Sequence, residues 1–309
     1  MIITITANPS IDMSYILDEL KEDDINRTDK VNKTAGGKGL NVSKVLTLLG
    51  ADVLAMGFLG GKNGEFIEDE LKERGIKSNF VKIKEASRNC IALLYDDNQT
   101  EILEAGPNIS EDEQKEIFKK LEEIEIPEFV CMSGGLARGL DKGFYADIVE
   151  IVNKMGSKAV VDTSGDSLKE IFKRDELPYM LKPNLEELEA LLGKSIGKDT
   201  NRMVAILKEG KLAELPNILV SLGSDGAIAR FGDKLYRAYL PKVKVVSPVG
   251  SGDSTVAGFV YASSKGKDDI DILKTAMACG VLNAMQMETG YIDIKDFDDI
   301  FNKIEVEII

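Results

Sequence analysis

The chain of 309 residues contains no histidine. Ser-His-Asp and Cys-His nucleophile systems are therefore excluded, the commonest metal ligand is missing, and general base chemistry falls to a carboxylate. Cysteine is scarce as well. Cys90, Cys131 and Cys279 stand far apart and form no CxxC pair, so neither a zinc knuckle nor a disulfide framework is suggested, and the three read as small buried residues in a reducing compartment. Positive charge is in deficit: 39 lysines and arginines face 53 aspartates and glutamates, for a net charge of −14. That balance argues against nucleic acid or an anionic membrane as the main partner. No apolar run approaches membrane-spanning length, and the N-terminal MIITITANPS has neither a basic stretch nor a cleavage site, which predicts a soluble cytoplasmic protein. Repeats, low-complexity segments and Pro/Gly-rich linkers are also missing, so 1–309 reads as one large domain, and a hydrophobic fraction of 43% suffices for its core.

What is present is an alternation of strand-like and helix-like text. IITIT (2–6) is a β-branched run ended by Asn8-Pro9. GLNVSKVLTLL (39–49) has helical apolar spacing and stops at Gly50. Further strands are expected at 51–58, 129–134, 158–165, 179–184 and 217–223, with helices at 65–74, from about 110, and at 143–155, 167–173, 185–192, 200–210, 253–264 and 269–287. Residues 227–231 and 234–239 flank Gly232-Asp233 as a hairpin. Strands separated by helices imply right-handed crossovers and an α/β fold with a mostly parallel sheet between helical layers. Two alternating patches, about 12–34 and 79–105, suit a small separate sheet. Ligands of such folds bind beyond the carboxyl ends of the strands.

The residues suited to chemistry cluster at those ends. In SPVGSGDSTVAG (247–258), Gly250, Ser251 and Gly252 form a turn that feeds an apolar helix, with Asp253 in its first turn. Free N–H groups and the macrodipole at a helix start favour an anion, so the loop could seat a transferring phosphate beside an acid acting as base. Equally, Asp253 could simply cap the helix. Gly36-Gly37-Lys38-Gly39 is not a P-loop, because Gly39 follows the lysine where Ser or Thr is required, and Gly193-Lys194-Ser195 fails because Leu188 stands where the first glycine belongs. It is a tight turn, or a turn whose Lys38 and Asn41 both face a bound group. In so acidic a chain a phosphate site needs a local island of cations; Arg27, Arg88 and Arg138 are candidates if they converge, and solvated surface charges if they do not. Asn184 and Glu187 either cap a helix or stand near Mg²⁺. SLGSDG (221–226) is a glycine turn, or a place where a nucleotide approaches the backbone.

Taken together, NPSID (8–12), GGKGLNVSKVL (36–46), SGGLARG (133–139), KPNLEE (182–187), VSLGSDGA (220–227) and VGSGDSTVAG (249–258) resemble the PfkB, or ribokinase-like, carbohydrate kinases, in the right order and over almost the whole chain. Within that family the wording is most similar to the branch that phosphorylates ketohexose phosphates. The resemblance implies a three-layer ribokinase-like α/β fold with a small β-sheet lid that pairs two subunits into a homodimer. It implies ATP-dependent phosphorylation of D-tagatose 6-phosphate at C1, with Mg²⁺ as the ion. The alternatives are fructose 1-phosphate or fructose 6-phosphate as acceptor, or a catalytically silent sugar-phosphate-binding protein. Position by position, Asp253 matches the catalytic base, and Gly250, Ser251 and Gly252 match the anion hole. Asp12, Gly37, Lys38 and Asn41 match sugar-binding positions, and Arg27, Arg88 and Arg138 correspond to ligands of the substrate phosphate. Asn184 and Glu187 match the motif associated with Mg²⁺ and nucleotide phosphates. Ser221, Gly223 and Gly226 match the nucleotide-binding turn, with Asn283 beside the adenine. SGGLARG departs from the usual SGSLP followed by a basic residue and Gly, which bears on Arg138 and not on the catalytic loop.

Overall fold

A computed structural model of the chain describes residues 1–96 and 98–309; Asp97, within the second β patch, lies outside the described residues. Among them, eleven strands form the main sheet. Ile2–Thr6 lies between Phe129–Ser133 and Val53–Leu59, parallel to both. From Phe129–Ser133 the parallel order continues through Lys158–Asp162, Met180–Leu181 and Asn217–Ser221. The hairpin strands Ala227–Phe231 and Lys234–Tyr239 and the C-terminal strand Glu305–Ile308 then close that edge antiparallel.

The period-2 geometry of the strands divides their side chains between two cores. Ile3, Ile5, Val130, Met132, Ala159, Val161, Ile218 and Val220 point into one core with helices Glu111–Glu122, Phe144–Lys154 and Gly165–Lys173. Their neighbours Ile2, Phe129, Cys131, Val160 and Leu219 point into the other, with helices Lys38–Leu48, Ser251–Ser264 and Asp269–Ala284. Both faces are thus covered, which is why these strands read as continuous apolar runs. The result is the three-layer α/β sandwich that the alternation of elements implies.

A second sheet of four strands is ordered Val31–Gly36, Ser10–Ile16, Arg88–Tyr95, Asn98–Leu103. A third apolar cluster roots it in the body: Ile11 and Ala35 pack with Leu40, Ala55, Leu59 and with Ile67 and Leu71 of helix Gly61–Glu73. The two patches read from the sequence are trimmed. Residues 17–30 form no strand, and Val81–Lys82 pairs with Val53–Leu59 of the main body instead of the small sheet, because Phe80, Val81 and Ile83 are buried in the cores. The C-terminal strand was not expected; its burial pattern is almost wholly exposed, so it carries no apolar signal.

Candidate active site

The cleft between the two sheets, of about 1190 Å³, opens at the carboxyl ends of the parallel strands. Helix Ser251–Ser264 points its first turn into it. Gly250 precedes that helix at φ 84°, and no side chain caps it. A Cβ at Gly250 would lie 2.5 Å from the Thr289 methyl, so both the conformation and the space require glycine. The Ser251 amide turns back to the Pro248 carbonyl at 3.3 Å and Ser254 donates to the Gly250 carbonyl. The amides of Gly252 and Asp253 are left as the first-turn donors that a helix cannot satisfy internally.

Asp253 does not cap its own helix. Its carboxylate accepts a hydrogen bond from Asn41 Nδ2 at 2.8 Å and is 4% exposed. Burial first, and the nearby Asp162 second, push its pKa up to about 7, while Lys38, the Asn41 hydrogen bond and Lys182 pull it down. Lys38, the first residue of helix Lys38–Leu48, faces Asp162 above all and then Asp253 and Glu187, which raises its pKa and keeps it protonated. Lys182 Nζ stands 3.4 Å from Asp162 Oδ1, both side chains at most 4% exposed. Neither Asp162 oxygen accepts a hydrogen bond. Lys182, the two carboxylates and Asn41 thus form a buried polar cluster at the floor of the cleft, with the exposed Lys38 beside it and a carboxylate poised to take a proton near neutral pH.

Toward the small sheet, Asp12 accepts from Ser10 Oγ at 2.7 Å, and burial raises its pKa. Its carboxyl lies where a Cβ of Gly36 would fall, about 2.0 Å away, so the glycine before the Gly37 turn makes its seat. Gly37, Lys38, Asn41 and Arg88 line the same wall. Asn184 and Glu187 also line the cleft while completing a reciprocal capping box, with Asn184 Oδ1 accepting from the Glu187 amide and Glu187 Oε2 from the Asn184 amide, each at 2.8 Å. Capping is therefore real here and leaves one Glu187 oxygen over. Ser221 lines the cleft beside them.

Residues 3–295 match the family described as pfkB family carbohydrate kinase. The chain belongs to that family. It is 44% identical over 310 residues, with 99% of both chains covered, to tagatose-6-phosphate kinases of two Staphylococcus epidermidis strains. Among solved structures, phosphofructokinase-2 from Escherichia coli in complex with potassium superposes with a TM-score of 0.89 over 97% of this chain and 98% of its own, at 24% identity. The same enzyme in complex with fructose-6-phosphate gives 0.88 over the same shares at 22%. These two likenesses are of fold. The chain is thus a pfkB kinase with the ribokinase-like architecture, a mostly parallel sheet and a separate small one.

Not every position carried over by resemblance reaches the cleft of this pfkB kinase. Arg27 is exposed in the strandless segment before Val31–Gly36. Arg138 lies in an adjoining cavity of about 420 Å³ that Arg88 also lines. Its Nε donates to the Gly106 carbonyl at 3.0 Å and its Nη2 faces Glu85 at 3.6 Å. Gly226 packs against the Ala238 carbonyl, and Gly223 begins a short 3₁₀ turn on the surface. Asn283, expected beside the base of the nucleotide, is 1% exposed and fully engaged: its Nδ2 donates to the Val249 carbonyl and its Oδ1 accepts from the Gly290 amide, both at 2.8 Å. It holds the loop before helix Ser251–Ser264 from behind. Conversely, sequence reasoning missed Asp162 and Lys182. Asp162 ends strand Lys158–Asp162 and Lys182 follows Met180–Leu181, so the rule that ligands meet strand ends points to both positions, though not to their pairing.

Proposed function

We propose that this pfkB kinase transfers the γ-phosphoryl group of ATP to the C1 hydroxyl of D-tagatose 6-phosphate, yielding the 1,6-bisphosphate and ADP. The observation that carries the chemistry is the buried Asp253 carboxylate at the open start of helix Ser251–Ser264, held by Asn41 and faced by Lys38. The choice of sugar is supported by the full-length relationship to tagatose-6-phosphate kinases. Asp253 takes the C1 hydroxyl proton as that oxygen bonds to the γ-phosphorus and the bond to the bridging oxygen of ADP breaks. The Gly252 and Asp253 amides and Lys38 meet the charge on the transferred group. Asp12 and Asn41 hydrogen-bond the sugar, and Arg88, with Arg138 next to it, takes the 6-phosphate.

No three His, Cys, Asp or Glu side chains form a metal cage among the described residues. Mg²⁺ that arrives on nucleotide phosphates needs only one or two carboxylates. The two Asp162 oxygens without hydrogen bonds and the Glu187 oxygen that the cap does not use fit that role, with Asn184 beside them. When bound, the ion neutralises charge on the phosphates. The small sheet closes over the sugar as a lid and pairs two subunits: its outer residues Ile102 and Leu103 are 53% and 60% exposed. The decisive assay follows ADP release by the purified protein with tagatose 6-phosphate, fructose 6-phosphate and fructose 1-phosphate. The highest kcat/KM belongs to tagatose 6-phosphate; a higher value for fructose 1-phosphate overturns the assignment.

A further inference from the structure

Behind the cleft, a second set of charges joins its two walls, reaching the cleft lining only through Glu288. Arg74 follows helix Gly61–Glu73 and sits between two carboxylates. Its Nε donates to Glu70 Oε1 at 2.9 Å, and its Nη2 pairs with Glu288 Oε1 at 2.6 Å. Glu70 reaches on from there and accepts from the backbone N–H of Ala35, in the strand that runs into Gly36-Gly37-Lys38. Glu288 belongs to the turn 287–290, which backs the catalytic loop. In that turn the Thr289 methyl fills the space over Gly250, Gly290 lies against Asn41, and the Gly290 amide bonds to Asn283. Lys44 is 3% exposed under this network, and its charge is faced by Glu70, Arg74, Asp12 and Glu288.

We infer that Arg74 is a positioning residue. By bridging Glu70 and Glu288 it fixes the root of the small sheet to the turn that presses on Asn41 and Gly250, so that Lys38, Asn41 and the catalytic loop keep one relative geometry. A guanidinium suits the task because its fork binds two carboxylates at set angles, which an ammonium does not. Arg74 and Glu70 are absent from the cleft lining, whereas Glu288 is part of it. The inference rests on the kinase reading for its kinetic arm only.

Two measurements test it. Hydrogen exchange of the free protein, wild type against Arg74→Met and Arg74→Lys, reads the tie directly. Amides of 287–290 and of 34–36 exchange about tenfold faster in Arg74→Met, with Arg74→Lys in between. Unchanged protection at both segments overturns the inference whatever the substrate proves to be. The kinetic arm is a cycle of Arg74→Met, Glu288→Gln and the double variant. Each single change lowers kcat about tenfold, and the double is no slower than the slower single, as coupled partners require. Losses that multiply mean that Glu288 acts on substrate independently of Arg74, which also overturns it. Should Arg74→Met not fold, Arg74→Lys and Glu70→Gln carry the same comparison: intermediate loss and faster exchange at 34–36 support the tie, and wild-type behaviour in both refutes it.

Discussion

The two ends of the cleft are built on opposite electrostatic terms. At the floor, Asp162, Lys182 and Asp253 are withdrawn from solvent; Lys182 pairs with Asp162, and Lys38, whose side chain reaches solvent, is faced by Asp162 and Asp253. At the small-sheet end, Arg88 and Arg138 stand near the surface and spend hydrogen bonds on the carbonyls of Glu104 and Gly106. Low dielectric and mutual pairing make the floor a preorganised device whose parts act as a unit. The rim works differently on the proposed function: its arginines would exchange backbone partners for the sugar's phosphate, each contributing separately.

That contrast ranks the expected effects. Asp253→Asn keeps ATP binding, measured by calorimetry, and loses roughly 10²–10⁴-fold in kcat. The same change stabilises the fold above neutral pH. Burial holds the Asp253 carboxyl above its usual 3.8, up to about 7. Between those values the folded chain therefore keeps a proton that the unfolded chain has released, and stability falls as pH rises through that window. Asparagine escapes this cost, so thermal unfolding at a pH of about 8 moves upward by a few degrees; a lower midpoint breaks the description of the floor. Lys38→Met comes next, with kcat down roughly 10²-fold and the acid limb of the rate profile moved to higher pH, because the lysine favours ionised Asp253. A limb that stays in place separates Lys38 from the base.

Rim substitutions are smaller and split by substrate. Arg88→Ala raises the KM for the sugar phosphate about tenfold or more and leaves that for ATP within about twofold. Arg138→Ala does the same more weakly, since its guanidinium opens onto the adjoining cavity. Arg27→Ala changes either KM by less than about twofold; a rise as large as that of Arg88→Ala means that a partner subunit brings Arg27 to the cleft.

The same contrast governs what the sequence discloses. The layered sheet was legible because buried parallel strands are unbroken apolar runs such as IITIT and KAVVD, and the hairpin at 227–239 because Gly232-Asp233 punctuates it. Gly250 and Asp253 were legible as a loop feeding a helix. Asp162 and Lys182 look like ordinary charges in the text, and only the parallel register sets the end of Lys158–Asp162 beside that of Met180–Leu181. Asn283 was placed beside the adenine by resemblance alone; nothing in the text shows that its side chain bonds the Val249 carbonyl and the Gly290 amide. Exposed strands such as Glu305–Ile308 bury too little to leave a pattern.

The claim that the buried floor does the chemistry meets its most direct test in the pH dependence of the single-turnover rate with saturating ATP and tagatose 6-phosphate, where ionisation of the free substrate drops out. The account predicts an acid limb centred near pH 7, falling about tenfold per unit below it, in line with the Asp253 carboxyl at about 7. A single-turnover rate that stays level down to a pH of about 5 contradicts it, because a base still ionised there is not the buried carboxylate with the raised value.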